Sequence, residues 1–352
     1  MESRDILTIE ALKAYLHEHS LTWETAGLSA ELLTRKQFPV RIPRFYADLI
    51  HWNDSEDPLR KIVIPAAAEQ DIQSYELSDP IGDHTHEPVP GLVHRYPNRC
   101  LLLLTTHCSI HCRFCFRRDV IGTPLPIDLP GITSYLQNHT EIEEIIYTGG
   151  DPATIPPAFL ASMIDKLAPL SHIKTWRFHT RTMVVDPEYV KEAWYEQLDR
   201  LNQVQKVVVL HVDHAREVTL ELKHLVQTLQ RHHIQVLSQS VLLKGVNDSL
   251  DALHQLFTSL SSAGIKPYYL HHLDKAQRTH HFRISIEAGK KLYTQLRGKI
   301  SGYAIPEYVV DLPGGDGKVP VMWMRKISPD TYEVENFQGK TITYIDPLGG
   351  PS

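Results

Sequence analysis

Three cysteines, Cys108, Cys112 and Cys115, fall at the spacing C-x3-C-x2-C inside an eleven-residue stretch, 108–118, that also holds Arg113, Arg117 and Arg118. Thiolates are the ligands of soft metals and of iron–sulfur clusters, and a four-iron cluster normally takes four of them. Three closely spaced thiols leave one iron without a protein ligand, open to a small chelating molecule. A disulfide framework would want an even set of cysteines in a short secreted chain, and neither condition holds. A zinc site recruiting His107 or His111 is the other reading, but structural zinc sites usually pair a C-x2–4-C half with a distant second half. The fourth cysteine, Cys100, opens the apolar run 100–104 and reads as a buried thiol of the core.

A second centre lies in the glycine-rich stretch 311–320, Asp-Leu-Pro-Gly-Gly-Asp-Gly-Lys-Val-Pro. Glycines let backbone approach a ligand closely and adopt positive φ. Lys318, held there, can form a Schiff base with pyridoxal phosphate (PLP) once its proton is removed. Read alone, the stretch favours an exposed turn with an ordinary lysine. The stretch is not a phosphate-cradling P-loop, whose spacing and following Ser or Thr it lacks. Arg95 and Arg99, in 94–99, offer forked donors that suit a phosphate.

These groups need a scaffold that brings them together. From residue 100 onward, β-rich runs at 100–105, 144–147, 175–179, 206–211, 234–240 and 266–270 alternate with amphipathic helical stretches. Leu160, Met163, Ile164 and Leu167 form one apolar stripe, and 222–229 and 253–260 carry two more. Six β-then-α units predict an α/β fold: a partial, six-unit TIM-like barrel with a parallel sheet inside and helices outside. The polar clusters at 148–152, 180–182, 211–214, 238–240 and 271–274 all follow a predicted strand, at the end of such a sheet where ligands gather. Residues 1–99 read as a helical and extended N-terminal segment and 100–304 as the barrel. Residues 305–352 read as the lysine loop followed by an antiparallel β appendage with strands at 309–311, 321–327, 331–335 and 341–345.

Composition narrows the partners. A net charge of -6 gives no reason to expect nucleic-acid or membrane binding, and 42% hydrophobic with 22% charged residues is ordinary for a globular protein. No signal peptide or spanning segment is legible, and four cysteines without a paired framework suggest a reducing, cytoplasmic setting. The paired histidines at 232–233, 271–272 and 280–281 read as surface or supporting residues rather than a metal tract.

The cysteine spacing is that of radical S-adenosylmethionine (SAM) enzymes, and the whole pattern resembles the lysine 2,3-aminomutase family. The resemblance runs from about residue 41 to 347. It rests on 88–92, 94–97, the cysteine loop, 149–151, 239–243, 245–248, 267–269 and the block from 301 to 322. It implies a radical SAM barrel that uses a 4Fe-4S cluster, SAM and PLP to move the α-amino group of L-lysine to its β-carbon. A 5′-deoxyadenosyl radical and a PLP external aldimine would carry that step. By position, it implies that Cys108, Cys112 and Cys115 hold the cluster. Gly149, Gly150 and Asp151 would lie against the SAM amino group, with Arg181, His211 and Gln239 holding the rest of SAM. Lys318 would bond PLP, with Arg95 and Arg99 on its phosphate. Arg117 would take the substrate carboxylate, and Asp274 and Asp311 its ε-ammonium. A reducing partner such as flavodoxin or ferredoxin is implied.

Two departures qualify the resemblance. Longer members carry a cysteine just after the block matching 245–248 and a C-terminal cysteine cluster, which together bind zinc; here the first position is Ser249, so no zinc is expected and a homo-oligomer is left open. Residues 271–277 look more like relatives acting in elongation factor P modification, which generally lack an aspartate like Asp311 and the full glycine loop. Retention of both aspartates favours free L-lysine. A mutase for glutamate or arginine, on the same scaffold, is the further alternative.

Overall fold

The computed structural model describes residues 5–28 and 38–349; the extreme ends of the readings for 1–99 and 305–352, and residues 29–37, lie outside it. After an N-terminal helix α1 (Ile9–Glu18), nine strands build one sheet. They are β1 (Leu92–Tyr96), β2 (Arg99–Thr105), β3 (Glu144–Gly149), β4 (Thr175–Thr180), β5 (Gln205–His211), β6 (Ile234–Leu242), β7 (Lys266–His272), β8 (Glu307–Leu312) and β9 (Gly317–Pro320). Their spatial order is their chain order. Strands β2 to β8 are parallel, while β1 and β9 are antiparallel partners at the two edges.

The crossovers are α2 (Leu129–Asn138), α3 (Pro157–Leu167), α4 (Glu192–Asp199), α5 (Leu220–Arg231), α6 (Leu250–Ser262) and α7 (Ile286–Leu296). Local chemistry sets their starts: Asp128, Thr219, Ser249 and Ser285 each accept a hydrogen bond from a first-turn backbone N–H. Pro156 and Pro157 open α3, where a missing N–H costs nothing. Every apolar residue in the stripes of α3, α5 and α6 is buried against the sheet. Burying each such leucine contributes roughly 1.5–3 kcal/mol, which is what holds the helices down.

The six-unit partial barrel therefore stands, and it is larger than the sequence pattern indicated. Residues 309–311 do not begin the appendage. They belong to β8, a seventh parallel strand beside β7, with Tyr308 opposite Leu270 and Val309 opposite His271. The glycine loop turns β8 back into β9, with Asp311 opposite Lys318. Residues 321–327 are not one strand either: Pro320 precedes a 3-10 turn at Val321–Trp323, leaving only Arg325–Lys326 to pair with β10 (Thr331–Glu335) and through it β11 (Thr341–Ile345). The lysine loop is thus part of the barrel wall, and the small three-stranded sheet follows it.

The two sheet edges approach each other. The Lys318 backbone N–H donates to the Tyr96 hydroxyl at 2.8 Å, and the Tyr96 ring packs on Phe337. That near-closure brings the N-terminal segment's strand β1 against the last hairpin.

Candidate active site

The cysteine loop leaves β2 and circles the mouth of the barrel. Its own bonds include Cys115 N–H to Cys112 O, Val120 N–H to Arg117 O and Gly122 N–H to Thr106 O, each at 3.0 Å. Much of its support comes from the N-terminal segment. Arg113 N–H donates to Ile62 O at 2.8 Å and His111 N–H to Arg41 O at 3.1 Å. The buried Glu69 carboxylate accepts from Arg113 Nε at 2.9 Å and from Arg118 Nη2 at 2.6 Å. Burial disfavours that charge, but the two arginines outweigh it and hold the Glu69 carboxyl below its usual range.

All three loop thiols are free. Burial pushes each upward, Cys112 to about 12 against the opposing pull of Arg181, so none ionises readily without a cation beside it. Among the described residues no three His, Cys, Asp or Glu side chains converge as ligands of one ion.

The turn after β3 seats this loop. Gly149 has φ +113°, and a Cβ there would meet Thr105 O at 2.5 Å; a Cβ on Gly150 would collide with the backbone of Thr106 and His107. Gly150 and Asp151 donate their N–H groups to Thr105 O and His107 O. The Asp151 carboxylate in turn accepts from the N–H groups of Arg181 and Thr182, each at 2.7 Å, and Ala153 at 3.0 Å. Asp151 is a brace between three loops, which its sequence position alone did not reveal.

Arg181 is likewise engaged from behind. Its guanidinium donates to Asp213 and Glu217, both at 2.6 Å, and Tyr46 donates its hydroxyl to Glu217 at 3.1 Å. Burial works against the Asp213 charge, but His211 and Arg181 hold it down at about 2. His211, at the end of β5, shares a hydrogen bond with Asp213 at 3.1 Å. Gln239 sits beside it on β6, opposite His211 in register.

At the other side of the barrel, Lys318 forms a close ion pair with Asp311. His271 Nδ1 lies 3.5 Å from Lys318 Nζ and 3.7 Å from Asp311 Oδ2. Burial and then the Lys318 charge push His271 down to about 4. Burial also disfavours the Asp311 charge, but Lys318 and His271 outweigh it and hold the carboxyl far below its usual range. Asp274 is the reverse case: burial, then repulsion from Asp311, lifts it to about 7, and its Oδ1 has no hydrogen-bond partner among the described residues. Such an atom is costly unless a ligand satisfies it.

Arg117 donates to Asp83 Oδ2 from Nη2 at 2.6 Å and to Thr148 Oγ1 at 3.3 Å. Arg95 donates to the other oxygen of Asp83 at 2.8 Å and lies 4.0 Å from Asp311, with its Nε unpartnered. Arg99 lies at the turn of the same hairpin, its guanidinium 3.8 Å above the Tyr96 ring.

Every residue given a role by the resemblance lines one cavity of about 600 Å³: the three cysteines, Gly149, Gly150, Asp151, Arg181, His211, Gln239, Arg95, Arg99, Arg117, Asp274, Asp311 and Lys318. Sequence reasoning missed Asp83, Glu69, Asp213, Glu217 and the individual part of His271. The available signal was an acid embedded among apolar or glycine neighbours, as in Ile81-Gly82-Asp83.

A parallel α/β barrel with thiols, a buried lysine and paired acids and arginines on one cavity has the layout of an enzyme that works on a small molecule with bound cofactors. A family model described as lysine-2,3-aminomutase matches residues 293–349, from α7 through the last hairpin and the small sheet. The L-lysine 2,3-aminomutase of Clostridium subterminale is 35% identical over 349 residues, 97% of this chain and 82% of that protein. That of Escherichia coli (strain K12) is 34% identical over 84% of this chain and 86% of its own length, and a putative one from Aquifex aeolicus is 33% identical over 96% and 92%. A solved radical SAM methyltransferase from Sphaerobacter thermophilus aligns at 18% identity with a TM-score of 0.41 over 62% of this chain and 67% of that one, too loosely to add to the topology. The chain belongs to the lysine 2,3-aminomutase family, and it is an isomerase of the aminomutase class.

Proposed function

We propose that this protein converts free L-lysine to β-lysine, with a 4Fe-4S cluster on Cys108, Cys112 and Cys115, SAM at the cluster's open iron, and PLP on Lys318. The observation that carries the reading is that the three thiols and the Lys318 amine face a single cavity. The donor set suits these groups. Three soft, crowded thiols call for a cationic cluster, and the buried Nε of Arg95, unpartnered among the described residues, suits a phosphate on the cavity that Lys318 lines. When bound, the cluster and SAM supply an adenosyl radical that abstracts a substrate hydrogen, and PLP supplies the carbonyl that carries the migrating nitrogen.

The chain's own residues then do three things. Lys318 must give up a proton to become a nucleophile, and His271 Nδ1, kept neutral by burial, is placed at 3.5 Å to accept it. Arg117 takes the substrate carboxylate in a forked geometry. Asp274 and Asp311 face the ε-ammonium; two carboxylates around one buried cation offset a desolvation cost of several kcal/mol.

Glutamate would bring a third carboxylate against Asp274 and Asp311, which argues against a glutamate mutase. The test is anaerobic turnover of reconstituted protein with dithionite, SAM, PLP and each of lysine, glutamate and arginine, with product mass and retention measured. β-Lysine as the main product is expected. Preferred turnover of glutamate or arginine would overturn the reading, as would lysine turnover only in the presence of elongation factor P.

A further inference from the structure

We propose that Asp83 is a positioning residue that aims Arg95 and Arg117 from one carboxylate, so that the cofactor's phosphate and the substrate's carboxylate are bound by a coupled pair. This rests on the PLP and lysine reading above. Each oxygen of Asp83 takes a different arginine, Arg95 at 2.8 Å and Arg117 at 2.6 Å. The carboxylate is largely buried, so both ion pairs are held in a medium where electrostatic alignment is strong. Beyond the pair, Arg95 reaches Asp311 at 4.0 Å, Asp311 meets Lys318, and Arg117 reaches Thr148. One carboxylate therefore joins the two arms of an ionic chain running from the lysine to the strand bearing the glycine turn.

Asp83 does not belong to the barrel. It comes from the segment before β1, and its backbone N–H is tied to Asp79 Oδ1 at 3.0 Å. Two glycine contacts fix this segment against the lysine loop. Gly82, at φ +72°, passes so near Gly314 and Gly315 that a Cβ would lie 2.6 Å from the Gly315 nitrogen. Gly315, at φ +85°, leaves room for the His86 ring, which a side chain there would strike. The loop carrying Lys318 and the loop carrying Asp83 are thus packed directly against each other, and Asp83 sets the direction of both guanidinium forks relative to that lysine.

The test is binding rather than turnover. PLP is titrated into apoprotein by the absorbance of its adduct with Lys318, and L-lysine is then titrated by the change in that band. Asp83→Asn, which keeps shape and removes the charge, should weaken both by about tenfold, as loss of an orienting outer partner does at other sites. Arg95→Lys should weaken PLP alone and Arg117→Lys should weaken lysine alone. Asp83→Glu, with the charge kept on a longer arm, should recover part of both affinities and shows the effect is not merely a folding defect. If Asp83→Asn alters only one affinity, or neither, the coupling is wrong. If Asp83→Asn does not fold, the milder Asp83→Glu is read in its place: partial loss of both affinities supports the proposal, loss of one or none overturns it. Absence of any adduct band in the unaltered protein would instead refute the PLP reading itself.

Discussion

Asp274 offers the sharpest quantitative test. Its carboxyl is lifted to about 7 by burial and by Asp311, and its Oδ1 is unsatisfied. A lysine ammonium arriving there needs the ionised form. In the free protein about half of Asp274 is ionised near pH 7, so lysine affinity should rise with pH through that value and level off above it. Below pH 7 the affinity should fall by about tenfold per unit, one proton being released on binding. Asp274→Asn removes the charge while keeping the shape. Breaking a buried ion pair costs about 3–5 kcal/mol, but Asp311 remains on the ammonium, so about 2 kcal/mol is expected, or about 30-fold in lysine affinity at pH 8. The same substitution should stabilise the free fold. A carboxyl whose folded pKa is raised costs stability above its unfolded pKa of about 3.9, growing until the pH passes the folded value. Three units correspond to a ceiling of about 4 kcal/mol, so at pH 8 the variant should melt at a higher temperature than the parent. The assay is lysine titration of the PLP-bound protein across pH without SAM, beside thermal melts of apoprotein. The reasoning fails if the variant binds lysine within about twofold of the parent at pH 8, or retains the pH slope.

Other perturbations follow from the same geometry. Lys318→Ala should abolish the absorbance of the PLP adduct while leaving iron and sulfide content unchanged; a surviving band would move the cofactor to another amine. Glu69→Ala strips one buried carboxylate from two arginines of the cysteine loop, and should cost about 3–5 kcal/mol in urea unfolding together with a loss of bound iron. Because the Glu69 carboxyl is held below its usual range, the stability it contributes should be fully present above its unfolded pKa and lost as the pH falls through its folded one. Gly150→Ala drives a Cβ into the backbone of His107, and reduced iron content with the PLP adduct preserved is expected; equal loss of both would mean general misfolding.

Much of this arrangement was legible in the sequence because its signals are local. Helix stripes such as Leu222, Leu225, Val226 and Leu229 report which face is buried. The rule that ligands gather past the strand ends placed Gly149, Arg181, His211 and Asp274 on one cavity without reference to coordinates. What was not legible is pairing over long separations. Residues 307–312 carry the β signature whether they join an appendage or a barrel, and only the contact with β7 decides. The roles of Asp151 and Arg181 were incomplete for a related reason. Spacing shows that a charged side chain stands near a site, and nothing in it tells whether backbone N–H groups or buried acids already hold that charge.

The consequence of joining β8 and β9 to the sheet is mechanistic rather than topological. Had the lysine loop been a separate lid, its approach to the thiols would vary with every hinge motion. As a strand pair of the barrel, Lys318 is fixed by main-chain bonds to β8 and by its N–H to Tyr96 on the opposite edge. Rigid elements hold reacting groups to the fraction of an ångström that a near-attack geometry demands, which loops do not. The N-terminal segment then supplies what the barrel lacks, two acids, Glu69 and Asp83, that hold four arginines of the loop and the first hairpin in place. Removing the residues before β1 would leave Arg95, Arg113, Arg117 and Arg118 crowded without these carboxylates. A chain beginning at β1 should therefore fail to assemble the site even where its sheet forms.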